Sequence, residues 1–513
     1  MRFKSLRWGI GGLFVCGALW ALVFLSHRGG EGEGSSPSSQ LSSVLDTPLT
    51  IAYDQPLTTY DPLISDVITR SYLVNVYEGL VRFDRNFRLE PALALSWGML
   101  DDTTWQFKLR PGVTFHDGSS FEARDVVASL ERAKADPLSQ LKDLVSSIER
   151  IEVVDDYTLQ FFTSRPDPIL LNKLTAVAIT PSEQTEFADQ PMGSGPYRFV
   201  GVKDEPYSTW TFNRYENYWG EIPSHSVLHL VALPDKFKRY EAFVSGDVDV
   251  LAQVPPVFVN PLLKSGYPIA RQPSLEVNFL LFGWPDPNAS LRHLAVRQAI
   301  AHALDPEALI QFTSGFAHPV NQFVSRGVFG YNPALPDATY DMTLARTLLE
   351  SVNKPIALTL DLPNGLESLG HYIQTQLAQL EVEVTLQFFS YEDYAARIQS
   401  GQSEFYFLGW RSDLGDAGDF FARVVHSQTS KGEYGTLNNG RYENESIDQL
   451  IESTEYNLLE SERLQQLQDL MQWVVEKDQI GVPLFETDVL TAIQPGLIWE
   501  PRFDNFILAT DVH

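Results

Sequence analysis

Two periods of hydrophobicity take turns along this chain from residue 49 to its end. Leu49-Thr50-Ile51-Ala52-Tyr53 reads as a first strand. In 104–109, Trp105, Phe107 and Leu109 alternate with Thr104, Gln106 and Lys108, the period of two that marks a half-buried strand. Ile151 to Phe162 reads as two strands around Asp155-Asp156, and Val227–Leu233, Ile356–Leu362 and Val382–Phe388 as further strands. Helical spacing appears from Ala123 onward, in Val126, Val127, Leu130 and Ala133, and again as a stripe of Leu291, Leu294, Ala295, Ile300 and Leu304. Asp305 caps a following helix with Pro306 in its first position, where a missing N–H costs nothing. Asp341 caps another that carries Leu344, Ala345, Leu348 and Leu349. Ser446-Ile447-Asp448-Gln449 is a capping-box pattern leading into Leu450 and Ile451. Leu464, Leu467, Leu470, Met471, Val474 and Val475 predict a helix over 461–477, and Pro483 is expected to stop the element after it. Strands and helices mixed without regular βαβ units predict an α/β or α+β protein with more than one lobe, and 513 residues suffice for two or three cores.

The N-terminus breaks the pattern. Arg2, Lys4 and Arg7 precede an uncharged, mostly apolar run from Trp8 to Leu25, followed by Ser26-His27-Arg28. That run just suffices for a tilted helix across roughly 30 Å of hydrocarbon. Its basic start places the N-terminus in the cytoplasm and the rest outside. Residues 1–28 are therefore read as a transmembrane signal-anchor; no A-x-A cleavage site follows, although a cleaved signal or a lipidated Cys16 are alternatives. Residues 29–46, rich in Gly and Ser, form a linker, and a coil of this length reaches about 20 Å.

Composition narrows the function. The net charge is −28, and such a surface repels phosphate backbones and anionic headgroups, so nucleic acid is excluded as a partner. Cys16 is the only cysteine, which leaves the globular part without disulfide, thiolate metal site or cysteine nucleophile. Aromatic residues make up 12% of the chain, enough to line a cavity as well as fill cores. No Walker A loop, no G-x-G-x-x-G before a helix and no H-E-x-x-H occurs. Gly193-Ser194-Gly195 is no nucleophile elbow, because Pro196 forbids the helix that should follow. His225 and His229 fall on a strand and share no helical face. Neither enzymatic activity nor a cofactor has support.

The segment from Ser96 to Arg132 is the most informative. It reads as a strand, an Arg110-Pro111-Gly112-Val113-Thr114-Phe115-His116-Asp117-Gly118 loop and a helix opening on Ala123-Arg124-Asp125-Val126. It closely resembles the signature of the family 5 extracellular solute-binding proteins, the peptide- and nickel-type receptors of ABC importers. Further matches follow in order. They are Tyr77-Glu78-Gly79-Leu80, Leu89–Ala94 (LEPALA), Gly193–Tyr197 (GSGPY), Asn213–Gly220 (NRYENYWG), Phe243–Val250 (FVSGDVDV) and Arg297–Ile300 with Asp305. The resemblance implies a two-lobed periplasmic binding protein-like fold (type II, cluster C-like) with an extra subdomain in the N-terminal lobe. Lobe I would take 47–76, 190–268 and 484–513, the inserted subdomain 77–189, and lobe II 269–483. It also implies a monomer that binds a small peptide or similar solute in an interlobe cleft and delivers it to an ABC permease. His116 reads as a structural turn residue.

Candidate chemistry lies in Phe405–Phe421 (FYFLGWRSDLGDAGDFF). An apolar strand ends in Gly409-Trp410, and the loop beyond carries Asp413, Asp416 and Asp419. A carboxylate past a strand end beside a Trp can accept charge-assisted hydrogen bonds from an ammonium group. The family has a similar W-x-A-D-Y-x-D-P segment, whose first aspartate holds the ligand's amine in peptide-binding members. Trp410, Asp413 and Asp416 match it, which implies that they bind ligand, whereas Leu414 and Ala417 replace the family's Tyr and Pro. A loop aspartate capping Gly415 or its neighbours is the alternative for Asp413. The register of an EF-hand loop is absent. Two other readings stay open: a membrane-anchored sensor or scaffold on the same fold, and a binder of a non-peptide solute such as a metal complex.

Overall fold

A computed structural model describes residues 47–513 except 65, 188–189, 205, 285–288, 353–354 and 431. The expected anchor and linker lie outside the described residues, among which no helix is long and apolar enough to cross a membrane.

Strict alternation along the first strands builds a sheet with a core on each face. Leu49, Ile51 and Tyr53 join Leu228, Leu230 and Ala232 in one core, while Ala52 joins Val231, Leu233 and Leu251 in the other. Strand Leu49–Tyr53 runs parallel to both Val227–Ala232 and Val250–Leu251, and a sheet covered on both faces is where parallel pairs occur. The outer strands Thr209–Arg214 and Tyr197–Lys203 complete this side antiparallel. On the far side, Ile356–Pro363 pairs parallel with Val382–Phe389 and with Phe405–Arg411. Two long strands, Ile269–Phe282 and Gly481–Ile493, pair with each other and belong to both sides, so among the described residues an eleven-stranded sheet runs through both lobes.

The long pair is irregular where it passes from one lobe to the other. Its register shifts between Pro273 and Val277, and Leu275 takes a left-handed φ of 61°. Such bulges bend a strand and free backbone groups. Side chains satisfy those groups here: Leu275 N–H donates to Glu486 Oε1 (3.1 Å), and Arg411 Nη1 donates to the Ser274 carbonyl (3.2 Å). Ser412 N–H donates to the Leu275 carbonyl at 3.0 Å. The crossing therefore falls at 273–277 and opposite it at 486–488.

A third core lies in the inserted region. Strands Ala94–Asp101, Thr104–Leu109, Thr158–Thr163 and Ile148–Asp155 form an antiparallel sheet. Helix Ala123–Ala135 covers one face, with Val126, Leu130 and Ala133 against Phe107, Leu109 and Phe161.

The family-like motifs converge to hold this region on the main sheet. Glu78 is buried, and Ser194 Oγ (2.7 Å), Tyr218 Oη (3.0 Å) and Trp219 Nε1 (2.8 Å) all donate to its carboxylate. Burial pushes the Glu78 carboxyl up, and those donors oppose it. A Cβ on Gly193 would lie 1.9 Å from the Val76 carbonyl oxygen, so only glycine permits this approach. His116 is sandwiched at the same junction: its Nε2–H donates to the Gly195 carbonyl (2.9 Å), and Gly193 N–H donates to Nδ1 (3.4 Å). Both ring nitrogens are matched only in the neutral form, and burial lowers the His116 pKa to about 4.

Between pH 6.5 and about 4 the unfolded chain thus binds a proton at His116 that the folded chain refuses. Stability is fully present above pH 6.5 and falls as pH drops toward 4, by an amount on the order of 3 kcal/mol. His116→Gln should flatten this part of the profile in urea denaturation followed between pH 4 and 7. An unchanged slope would refute the assignment.

Three expected elements differ in detail. Helix Leu294–Ala303 begins after a 3-10 turn at Ser290–Arg292, so the buried positions are Val296, Ala299, Ile300 and Ala303, and Leu294 is exposed. Helix Glu445–Thr454 is capped by Asn444, whose side chain accepts from Ser446 N–H and Ile447 N–H, rather than by a box starting at Ser446. Pro483 stops nothing: it lies inside strand Gly481–Ile493 opposite Phe279, beside a register shift, a place that suits a residue without a ladder N–H.

Candidate functional site

Strand Phe405–Arg411 ends at the crossing and delivers its last residues to the seam between the lobes. Arg411 is the pivot. Its Nε donates to Asp413 Oδ1 (2.7 Å), its Nη1 to Ser274 O (3.2 Å) and its Nη2 to Asp504 O (2.7 Å). It therefore ties the irregular crossing, the Asp413 loop and the C-terminal segment of the first lobe together. Asp413 is 40% exposed at its side chain, and its Oδ2 has no hydrogen-bond or ion-pair partner among the described residues.

Asp413 and Leu275 line a cavity of about 160 Å³ whose other walls come from the first lobe and the inserted region. Helix Val67–Leu73 contributes Arg70, the segment after it Tyr77, Glu78, Arg82, Phe83 and Phe87, and the C-terminal segment Arg502, Asp504 and Phe506. Phe87 packs on Phe83 with centroids 4.2 Å apart and the rings tilted by 32°, and it stands so close to Gly415 that a Cβ there would come within 2.9 Å of the ring. Asn172 Nδ2 reaches across to the Leu414 carbonyl at 2.8 Å. These contacts close the seam around the cavity, which is small beside the roughly 300–1,000 Å³ of drug-sized sites. A larger recess of about 700 Å³ lies in the second lobe beside Ala317–Pro319. Two of its acids are already engaged, since Asp305 caps a helix and Glu486 holds Leu275 N–H.

Of the three residues marked by sequence, Asp413 reaches this cavity. Trp410 is buried below it, edge-on to Phe420 at 5.8 Å, with no acceptor for its indole N–H among the described residues. Asp416 does not line this cavity. Asp416 is 3% exposed and makes a two-point pair with Arg463 (2.6 and 2.8 Å), while its Oδ1 also accepts the Gly418 N–H (2.8 Å). Nor does Asp413 cap the loop, because Gly415 N–H goes to the Ser412 carbonyl.

Sequence periodicity did not mark Arg70, Phe83, Phe87 or Phe506. The one available signal was a lone cation in the helix V-I-T-R-S-Y-L just ahead of the Y-E-G-L block. Arg70 lies over the Phe506 ring (4.9 Å to the centroid). Burial lowers its pKa, and the charge of Asp413 works against that. Burial likewise raises the Glu276 carboxyl beside Arg411.

The family described as bacterial extracellular solute-binding proteins, family 5 middle, matches residues 88–432. The chain is 28% identical over 402 residues to the glutathione-binding protein GsiB of Pectobacterium atrosepticum, covering 72% of this chain and 75% of that one. Among solved structures, the ABC transporter-associated periplasmic binding protein DppA of Helicobacter pylori, in complex with the peptide STSA, superposes with a TM-score of 0.73 at 23% identity. That superposition covers 92% of this chain and 99% of DppA. NikA of Brucella suis in complex with Fe(III)-EDTA gives 0.80 at 21% identity over 91% and 100% of the two chains. The fold is that of these two-lobed binding proteins.

Proposed function

This chain belongs to the family 5 bacterial extracellular solute-binding proteins, a family of transport receptors, and from that premise we propose that it captures a short peptide by its amino terminus between the two lobes. One observation carries the reading: Asp413 stands in the interlobe cavity with Arg411 on one carboxylate oxygen and the other oxygen unpartnered among the described residues. A primary ammonium supplies the donors and the charge that this oxygen lacks. The similarity to a glutathione-binding protein and to a peptide-bound DppA supports the same solute class.

Closure follows from where the groups sit. A solute that touches Asp413 on one lobe and the opposite wall on the other favours the closed arrangement by its extra affinity for it. The crossing strands at 273–277 supply the flexure, because their backbone groups are held by side chains rather than by a regular ladder. The chain acts outside the cytoplasm as a monomer, tethered by residues 8–25, and hands its solute to an ABC permease.

Calorimetric titration of the full-length chain with alanyl-alanine and alanyl-phenylalanine tests the reading. Saturable binding with a negative heat-capacity change is expected, since apolar surface is buried. No binding of any free-amine peptide of two to five residues, alongside binding of a metal chelate, would overturn it in favour of a non-peptide solute. Binding of a partner protein with no small solute would favour the sensor.

A further inference from the structure

Among the described residues six charged side chains line the interlobe cavity, and four of them are already engaged by neighbours. Arg82 pairs with Glu90 at 2.6 Å, and Arg502 pairs with Asp504 at 2.6 Å while donating to the Phe83 carbonyl at 2.8 Å. Glu78 takes donors from Ser194, Tyr218 and Trp219. Asp504 also accepts from Phe506 N–H at 3.1 Å. Two groups stand apart from these pairs. One is Asp413 Oδ2, and the other is the whole guanidinium of Arg70, which has no hydrogen-bond or ion-pair partner among the described residues and lies over the face of Phe506.

An unpaired cation inside a partly apolar cavity is costly unless something compensates it. The charges of Asp413 and Asp504 both act on Arg70, and since Arg502 holds Asp504, Asp413 is the counter-charge left to Arg70. The two do not come within ion-pair distance, because Arg411 holds Asp413 to the second lobe while helix Val67–Leu73 holds Arg70 to the first. The gap between them belongs to the solute. A guanidinium presents its donors in a planar fork that matches a carboxylate, and the geometry is poor for a neutral amide.

We infer that Arg70 is the anchor for the solute's carboxylate, so that the cavity selects a short zwitterion whose amine meets Asp413 and whose carboxylate meets Arg70. This rests on the amine-binding reading of Asp413 and adds a second, opposite contact on the other lobe. The solute thereby becomes an electrostatic bridge across the seam. The aromatic wall of Phe83, Phe87 and Phe506 favours an apolar side chain between the two charged ends.

The test compares alanyl-phenylalanine with its C-terminal amide, titrated calorimetrically into the full-length chain and into Arg70→Gln and Arg70→Lys. The amide is expected to bind the unsubstituted chain about 30-fold more weakly than the acid. Arg70→Gln should weaken the acid by a similar factor yet leave the amide unchanged, and Arg70→Lys should recover part of the loss for the acid only. Equal affinity for acid and amide in the unsubstituted chain overturns the inference without any variant, so misfolding cannot mask the answer. If the amide binds as well as the acid while Asp413→Asn abolishes both, Arg70 is not the anchor and the amine reading stands. If neither peptide binds the unsubstituted chain, the short zwitterion and its carboxylate anchor fail, and the amine reading fails with them only when no free-amine peptide of two to five residues binds either.

Discussion

Replacing Asp416 with alanine is expected to destabilise the protein by about 3–5 kcal/mol, because it strands a buried arginine. Arg463 is 5% exposed and has spent its Nε on the Thr454 carbonyl at 2.8 Å, so its two terminal nitrogens depend on Asp416. Arg463→Ala should cost a similar amount for the opposite reason. The two losses should not add. Removing both charges together abolishes the interaction once, and a double substitution to apolar residues of like volume is expected to be markedly less damaging than the sum. Urea denaturation gives the answer from the shift in midpoint at constant slope. A loss under about 1 kcal/mol for Asp416→Ala would mean that the pair is solvated and free to open. Because Asp416 faces Arg463 rather than the cavity, solute affinity of the folded Asp416→Asn protein should stay within about twofold of the parent, and a large fall would return Asp416 to the binding site.

Replacing Asp413 with alanine has the opposite signature, a large loss of affinity and little loss of stability. Its side chain is 40% exposed and its ion pair with Arg411 is partly solvated, a setting in which surface pairs contribute little. Removing a charge that directly meets a ligand ion costs about 2–5 kcal/mol in binding. The lower end applies here because Arg411 already shares the carboxylate, and about 2 kcal/mol corresponds to roughly a 30-fold rise in Kd. Asp413→Asn keeps the size and removes the charge, so it should lose nearly as much. Calorimetry with alanyl-phenylalanine reads the effect directly, and an Asp413→Ala protein that binds within threefold of the parent would remove Asp413 from the site.

How much of the fold and the site was legible in the sequence depended on the distance over which each interaction acts. The strand at 49–53, the period of two at 104–109 and the Asp305 and Asp341 caps are local, and the structure has these elements where the sequence puts them. The stripe on helix Leu294–Ala303 slipped in phase because the 3-10 turn before it placed Leu291 in the core by a different geometry. Motifs that read as a signature prove to be scaffolding: His116, Glu78, Gly193 and Trp219 meet at one junction, although they come from four segments of the chain. Within the candidate site, Asp413 was readable because a strand end and its loop are contiguous. Asp416 looked equivalent three residues later, and its partner Arg463 lies 47 residues further on, beyond any local pattern. Arg70 carried only the mark of a lone cation in its helix, since the ring it lies over, Phe506, comes from the other end of the chain.

All of the proposed chemistry requires that a solute's ammonium group complete Asp413 inside the seam. Blocking that ammonium is the sharpest trial: alanyl-phenylalanine and its N-acetyl derivative titrated into the full-length chain and into Asp413→Asn. Acetylation is expected to weaken binding to the parent about 30-fold and to make no further difference once Asp413 is neutral. Equal affinity of the parent for the free and acetylated peptides would contradict an ammonium site at Asp413.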